Sequence, residues 1–91
     1  MIARHVLIAG RVQGVGFRDW LVTQAQRRGV HGWVRNRRDG RVEALLHGED
    51  AAVADLLRLC HDGPPHADVT EVAERPTDPP AEPGFQRLPT A

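Results

Sequence analysis

The chain has 91 residues, a formal net charge of zero at pH 7 and a pI near 7.0. A chain of this size buries only roughly 60 to 65 per cent of its unfolded surface, enough for one small core, so residues 1–91 are expected to form one domain. The charge balance excludes a nucleic-acid or anionic-membrane binder held by bulk electrostatics, and any anion site must therefore be local.

Residues Ala3 to Val12 alternate, with Val6, Ile8 and Val12 on one face and His5, Leu7 and Ala9 on the other, which predicts a strand, β1. From Phe17 the apolar positions Phe17, Trp20, Leu21 and Ala25 take helical spacing, and Arg27-Arg28-Gly29 ends the pattern as suits a helix C-terminus; this is α1. His31 to Asn36 (β2) and Arg41 to Leu46 (β3) flank Asp39-Gly40, a hairpin signal because both residue types tolerate positive φ. Gly48-Glu49-Asp50 leads into α2, whose stripe Val53, Leu56, Leu57, Cys60 has helical spacing, and Gly63-Pro64-Pro65 closes it. Ala67 to Arg75 is β4, where Val69 and Val72 fall out of alternation and predict a bulge of the kind common at sheet edges. Thr77 to Pro83 carries three prolines and is expected to be a rigid loop without core residues; Phe85 to Leu88 is a short last strand, β5. This order describes an α+β, ferredoxin-like βαββαβ sandwich, a mainly antiparallel sheet with two helices on one face and a short extra C-terminal strand. That architecture serves many functions, so function has to be read from the site.

Cys60 is the only cysteine, which excludes an intrachain disulfide and a thiolate metal cluster; its place on the apolar stripe of α2 makes it a core residue. No apolar run reaches the roughly 18 residues of a membrane span, and the N-terminus lacks a signal-peptide pattern, so a soluble, cytoplasmic protein is expected.

The stretch Gly10 to Arg18, G-R-V-Q-G-V-G-F-R, sits where β1 hands over to α1. At such a junction the first helical amides have no intrahelical acceptor and the helix dipole adds partial positive charge, so an anion can replace the missing partners. Gly14 and Gly16 permit positive φ and close approach of a ligand to the amides, and Arg18 adds a planar fork that can grip two phosphate oxygens. A glycine-spaced loop alone is more often a tight turn with a surface arginine. The second segment, Gly32-Trp33-Val34-Arg35-Asn36 followed by Asp39-Gly40 and Arg41-Val42-Glu43, changes the weight of the first. Taken in this order and spacing, the two motifs strongly resemble the acylphosphatase family, from about Arg4 to about Leu88.

The residues also restrict the chemistry without that resemblance. The five histidines, His5, His31, His47, His61 and His66, lack metal-ligand spacing, serine is absent, and Thr23 and Cys60 are placed on helix faces away from any base. No metal or other cofactor is expected. Arginine, asparagine and backbone amides can position a water and stabilise charge but give no strong general-base help. Phosphoryl transfer with a leaving group that departs unprotonated suits such a site, and a carboxyl phosphate meets that condition.

What the resemblance implies is hydrolysis of acyl phosphates to a carboxylate and inorganic phosphate. It implies that Arg18 binds the phosphate and Asn36 orients the attacking water, with Gln13, Gly14, Val15, Gly16, Phe17 and Arg18 forming the phosphate loop. Gln13 is expected to order that loop, Val15 and Phe17 to anchor it, and Trp33 and Val34 to fix β2. By composition alone Asn36 is equally a turn residue capping the hairpin. Arg35, Arg37, Arg38 and Arg41 form a basic patch that either steers anions or is solvated surface. Some relatives carry a small hydroxyl residue directly after the asparagine, where this chain has Arg37. The expected partners are a small-molecule acyl phosphate and inorganic phosphate as product and inhibitor, with no nucleic acid, no membrane and a monomeric chain. The rivals are a phosphate-binding module without turnover and an RNA-binding ferredoxin-like domain. The latter needs exposed aromatics on its central strands, where β1 offers Val6, Leu7 and Ile8 and β3 offers Val42 and Leu45.

Overall fold

The alternation read from the sequence is what places the strands in the computed structural model, which describes residues 1–91. The elements are β1 (Ile2–Arg11), α1 (Phe17–Arg27), β2 (His31–Asn36), β3 (Val42–Gly48), α2 (Asp50–Cys60), β4 (Asp68–Pro76) and β5 (Phe85–Arg87). They form one five-stranded sheet in the order β4-β1-β3-β2-β5, antiparallel throughout except for the parallel pair β2 and β5. This is the ferredoxin-like arrangement with its extra C-terminal strand. Helix α1 lies over β2 and β5, and α2 over β1 and β3.

One face of the sheet is apolar for a simple reason: in a strand, alternate residues share a face. Val6 and Ile8 of β1, Val34 of β2, and Val42, Ala44 and Leu46 of β3 are fully buried beneath the helices. The helices answer with Phe17, Leu21 and Ala25 from α1 and Val53, Leu56, Leu57 and Cys60 from α2. Burial pushes the Cys60 thiol up to about 12, so it packs as an apolar residue and is not a nucleophile at neutral pH.

The largest shift of a strand end is in β3, which runs to Gly48 because its last residues pair with the start of β1, Ile2 opposite Gly48. The bulge expected in β4 is present: Ala9 pairs with Glu71 and the next residue, Gly10, with Val69, leaving Thr70 as the extra residue. It lies on an edge strand, where the extra twist discourages pairing with another chain. The proline loop differs from its expected role. Pro80 is half-buried and walls a hollow with Trp33 on the open face of the sheet, and Gly84 accepts the amide of Gly32, so the loop packs onto β2.

Register decides which sequence-distant groups meet. Ile8 and Asn36 both pair with Val42, from opposite sides of β3. Ile8, three residues before the end of β1, and Asn36, the last residue of β2, are therefore level and two strand spacings apart, roughly 10 Å. Strand β5 runs parallel to β2, with Val34 opposite Arg87, so its C-terminal end arrives at the same edge.

Candidate active site

At that edge the chain leaves β1, turns through Val12 to Gly16 and enters α1. Gly14 and Gly16 have φ of 73° and 78°, left-handed values that strain any residue with a Cβ, and a Cβ added at either would meet nothing within 4 Å. The glycines are therefore needed for backbone shape, and they leave open space beside the loop. Gly16 is the N-cap of α1 and no side chain caps the helix, so the first-turn amides are left for another acceptor. Phe17 anchors the turn, being buried and set edge-on to Trp20 at 5.2 Å between ring centres. That burial is worth about 2 to 3 kcal/mol. Val15 packs against the same core.

Gln13 holds the loop against the neighbouring hairpin. Its side-chain amide donates to the carbonyls of Arg37 at 2.7 Å and Arg41 at 2.9 Å, which occupies both of its N–H groups. Those bonds fix the loop relative to Asn36, one residue before Arg37. The loop-ordering role expected of Gln13 is thus the one its side chain performs, and that side chain is not available to grip a phosphate.

Gly14, Gly16, Phe17, Arg18 and Asn36 come together around a cleft of about 120 Å³, joined by Val12, Asp19 and Arg87. Gln13 and Val15 do not line it. A larger hollow of about 320 Å³ lies against Trp33, Pro80 and Leu88, where the one ionisable side chain in its wall is the carboxylate of Glu82, so it is no match for an anion.

Two features of the cleft bear on what it can hold. None of the protein's ion pairs engages Arg18, whereas Arg35, Arg37 and Arg41 of the hairpin are tied up. The side chain of Asn36 is buried, with its Oδ1 accepting no hydrogen bond. Buried polar atoms are nearly always paired, so this one calls for a physical reason. Hairpin capping is not that reason. Asp39 caps the turn, its Oδ1 accepting the Arg41 amide at 3.0 Å, and interactions with Arg41 and Arg37 hold its carboxyl well below the usual range.

The basic patch is largely neutralised. Arg35 and Arg37 donate to Glu43 Oε1 at 2.7 and 3.2 Å, His5 Nε2 donates to Glu43 Oε2 at 2.6 Å, and Arg41 binds Asp39 at 2.7 Å. Arg35 also lies over the Trp33 ring, 4.8 Å from its centre. Burial alone would raise the Glu43 pKa, but the bonds from Arg35 and His5, the charge of Arg35 and the bond from Arg37 outweigh it and hold the carboxyl at about 2, below its ordinary 4.5. The network ties β1, β3 and β2 together behind Asn36.

A stability prediction follows from its sign. The folded pKa is depressed, so the unfolded chain takes up the proton first as pH falls, and the stabilisation is full above about pH 5 and lost toward pH 2. Glu43→Gln should cost about 2 to 3 kcal/mol at neutral pH. It should also flatten the decline in stability between about pH 5 and 2. Urea unfolding across that range tests both, and an unchanged pH dependence would remove Glu43 from the account.

The sequence reading found Arg18 and Asn36 but not Asp19 or Arg87, which complete the cleft wall. Arg87 Nη1 donates to Asp19 Oδ1 at 2.6 Å across the cleft mouth. The available signal was slight: Asp19 is in the first turn of α1, where an acid normally only complements the helix dipole.

A ferredoxin-like sandwich with a small polar cleft between a glycine turn and a strand end is a domain suited to one small oxyanion. No three His, Cys, Asp or Glu side chains converge as metal ligands would, and no helix is long and apolar enough to cross a membrane. The sequence profile of the acylphosphatase family matches residues 4–87, and the chain belongs to that family. It is 59% identical over 90 residues to an acylphosphatase of Acidiphilium cryptum, covering 99% of each chain. Among solved structures it resembles the acylphosphatase of Bacillus subtilis, with a TM-score of 0.92 and 34% identity over 97% of this chain and 99% of that one. It also resembles part of full-length HypF, solved in a phosphate- and nucleotide-bound form, with a TM-score of 0.89 and 27% identity, covering 98% of this chain but 12% of HypF.

Proposed function

We propose that this chain holds the phosphate of an acyl phosphate in the cleft between the loop and Asn36 and hydrolyses it to a carboxylate and inorganic phosphate. Acyl phosphate hydrolysis is the activity of the family to which it belongs. The observation that carries the assignment of roles is the buried Asn36 Oδ1 with no partner, in the same cleft as Arg18, which no carboxylate engages.

In this reading the Arg18 fork binds two phosphate oxygens and the amides of Gly14, Gly16, Phe17 and Arg18 surround the rest. Asn36 Oδ1 accepts a hydrogen bond from the attacking water and so aims the water's lone pair at phosphorus. The P–O bond to water forms as the P–O bond to the acyl group breaks, and the electron pair leaves on the carboxylate. The surplus proton passes to phosphate or solvent, so no protein base is needed. Product phosphate competes for the same cleft. The whole chain acts as one domain, and a cytoplasmic monomer fits the lone buried cysteine and the balanced charge.

Hydrolysis of an aryl acyl phosphate tests this directly. Turnover should proceed in excess EDTA, should not rise with added magnesium, and should show no protein ionisation between about pH 5 and 8, because arginine and asparagine do not titrate there. A limb near pH 6.5 that stays fixed across substrates and vanishes on replacing one histidine would reveal a protein base and overturn the mechanism. The rival reading is a phosphate-holding module without turnover. Phosphate binding with no hydrolysis of any acyl phosphate would select it.

A further inference from the structure

The cleft contains two guanidinium groups in different states. Arg18 is free of ion pairs, while Arg87 is held by Asp19. Arg87 lies two residues after Phe85, on the same face of β5, where Phe85 is buried in the core. A strand residue at that position ordinarily extends the apolar face; here it brings a charge to the cleft mouth. Its partner is only loosely committed, since the Asp19 side chain is 74% exposed and that of Arg87 44%. Such an exposed pair holds weakly against water and salt. Asp19 also stands in the first turn of α1, the end of the helix that attracts negative charge. One carboxylate thus occupies both the arginine and the helix field that a phosphate would use.

We propose that Arg87 is a second anion-binding arginine of the cleft, restrained by Asp19 and drawn to the substrate's phosphate when the site fills. This rests on the acyl phosphate reading above. A phosphate dianion outcompetes a monocarboxylate for a guanidinium fork, because it offers more charge and more acceptor oxygens in bidentate geometry. Asp19 sets the cost of the exchange, so phosphate affinity is lower than the two arginines alone would provide, which favours release of the product.

The test is inhibition by inorganic phosphate, measured with KM and kcat for an aryl acyl phosphate, in Arg87→Met, Asp19→Asn and the double variant. Arg87→Met should weaken phosphate inhibition and raise KM by about 5- to 20-fold, a larger change than its fall in kcat. Asp19→Asn should tighten phosphate by about threefold or more, and in the Arg87→Met background that gain should largely disappear. A merely structural staple between α1 and β5 would lower Tm in both single variants without this coupling. Arg87→Lys, which keeps the charge and the pair, should fall between wild type and methionine, and it carries the comparison if the methionine variant unfolds. The proposal is overturned if Arg87→Met leaves phosphate inhibition and KM within about twofold, or if Asp19→Asn has equal effects in both backgrounds, the mark of a charge acting without Arg87. Arg18→Gln separates the two levels: if it abolishes phosphate binding while Arg87→Met does nothing, only this inference fails; if it leaves binding intact, the cleft is not the phosphate site and both fall.

Discussion

Arg18→Gln is expected to abolish detectable turnover and phosphate affinity together, with little change in stability. Two charge-assisted hydrogen bonds at roughly 1.5 to 3 kcal/mol each are removed, a combined loss of about 10² to 10⁴ in affinity. The transition state loses more, since charge on the transferring group is what the fork neutralises. Stability should hold because no ion pair of the folded protein includes Arg18. Arg18→Lys should fail nearly as badly, keeping the charge but not the planar two-pronged contact. Calorimetric titration with phosphate, paired with thermal unfolding, reads both quantities. Full phosphate binding by the glutamine variant would end the assignment.

Asn36→Ala should slow hydrolysis by about 10² to 10³ while phosphate inhibition stays nearly unchanged, since its partner is the water and not chiefly the phosphate. The structure adds a second readout. Asn36 Oδ1 is buried without a partner, so removing it should leave stability unchanged or slightly improved, whereas removing a hairpin cap would lower it by about 1 kcal/mol. The functional and the capping roles thus predict opposite pairs of results. Turnover above half the wild-type rate, with a lowered Tm, would make Asn36 a hairpin residue and leave the water to be placed by another group.

The elements were legible because each depends on local patterning. The alternation of β1 and the stripes Phe17, Leu21, Ala25 and Val53, Leu56, Cys60 are the faces that pack together. The bulge near Val69 was legible too, because a period of two cannot absorb an extra residue without a visible break. Where boundaries slipped, as at the far end of β3, the cause was a partner strand more than 40 residues away, which no local window includes.

The hairpin arginines show the limit from the other side. As sequence, Arg35, Arg37, Arg38 and Arg41 read as a basic patch; in the fold three of the four are bound to Glu43 or Asp39. Side chains one strand apart decide the net field, and their adjacency is a matter of register.

What the sequence by itself determined about this protein is the chemistry on offer: a glycine turn that only left-handed backbone satisfies, an arginine at a helix start, an asparagine at a strand end, and no base among them. Backbone preference and residue type are local properties, so they survive without the fold. Only the tertiary structure decided which of these groups share a cleft and which charges are already matched. Val42 sets Ile8 and Asn36 on one level, Gln13 pins the loop to the hairpin, and the parallel pairing of β5 carries Arg87 to Asp19 across 68 positions of sequence. The physical reason is that hydrogen-bond register between strands, set by burial of one apolar face, fixes distances to within a residue, whereas charge pairing along the chain has no such ruler.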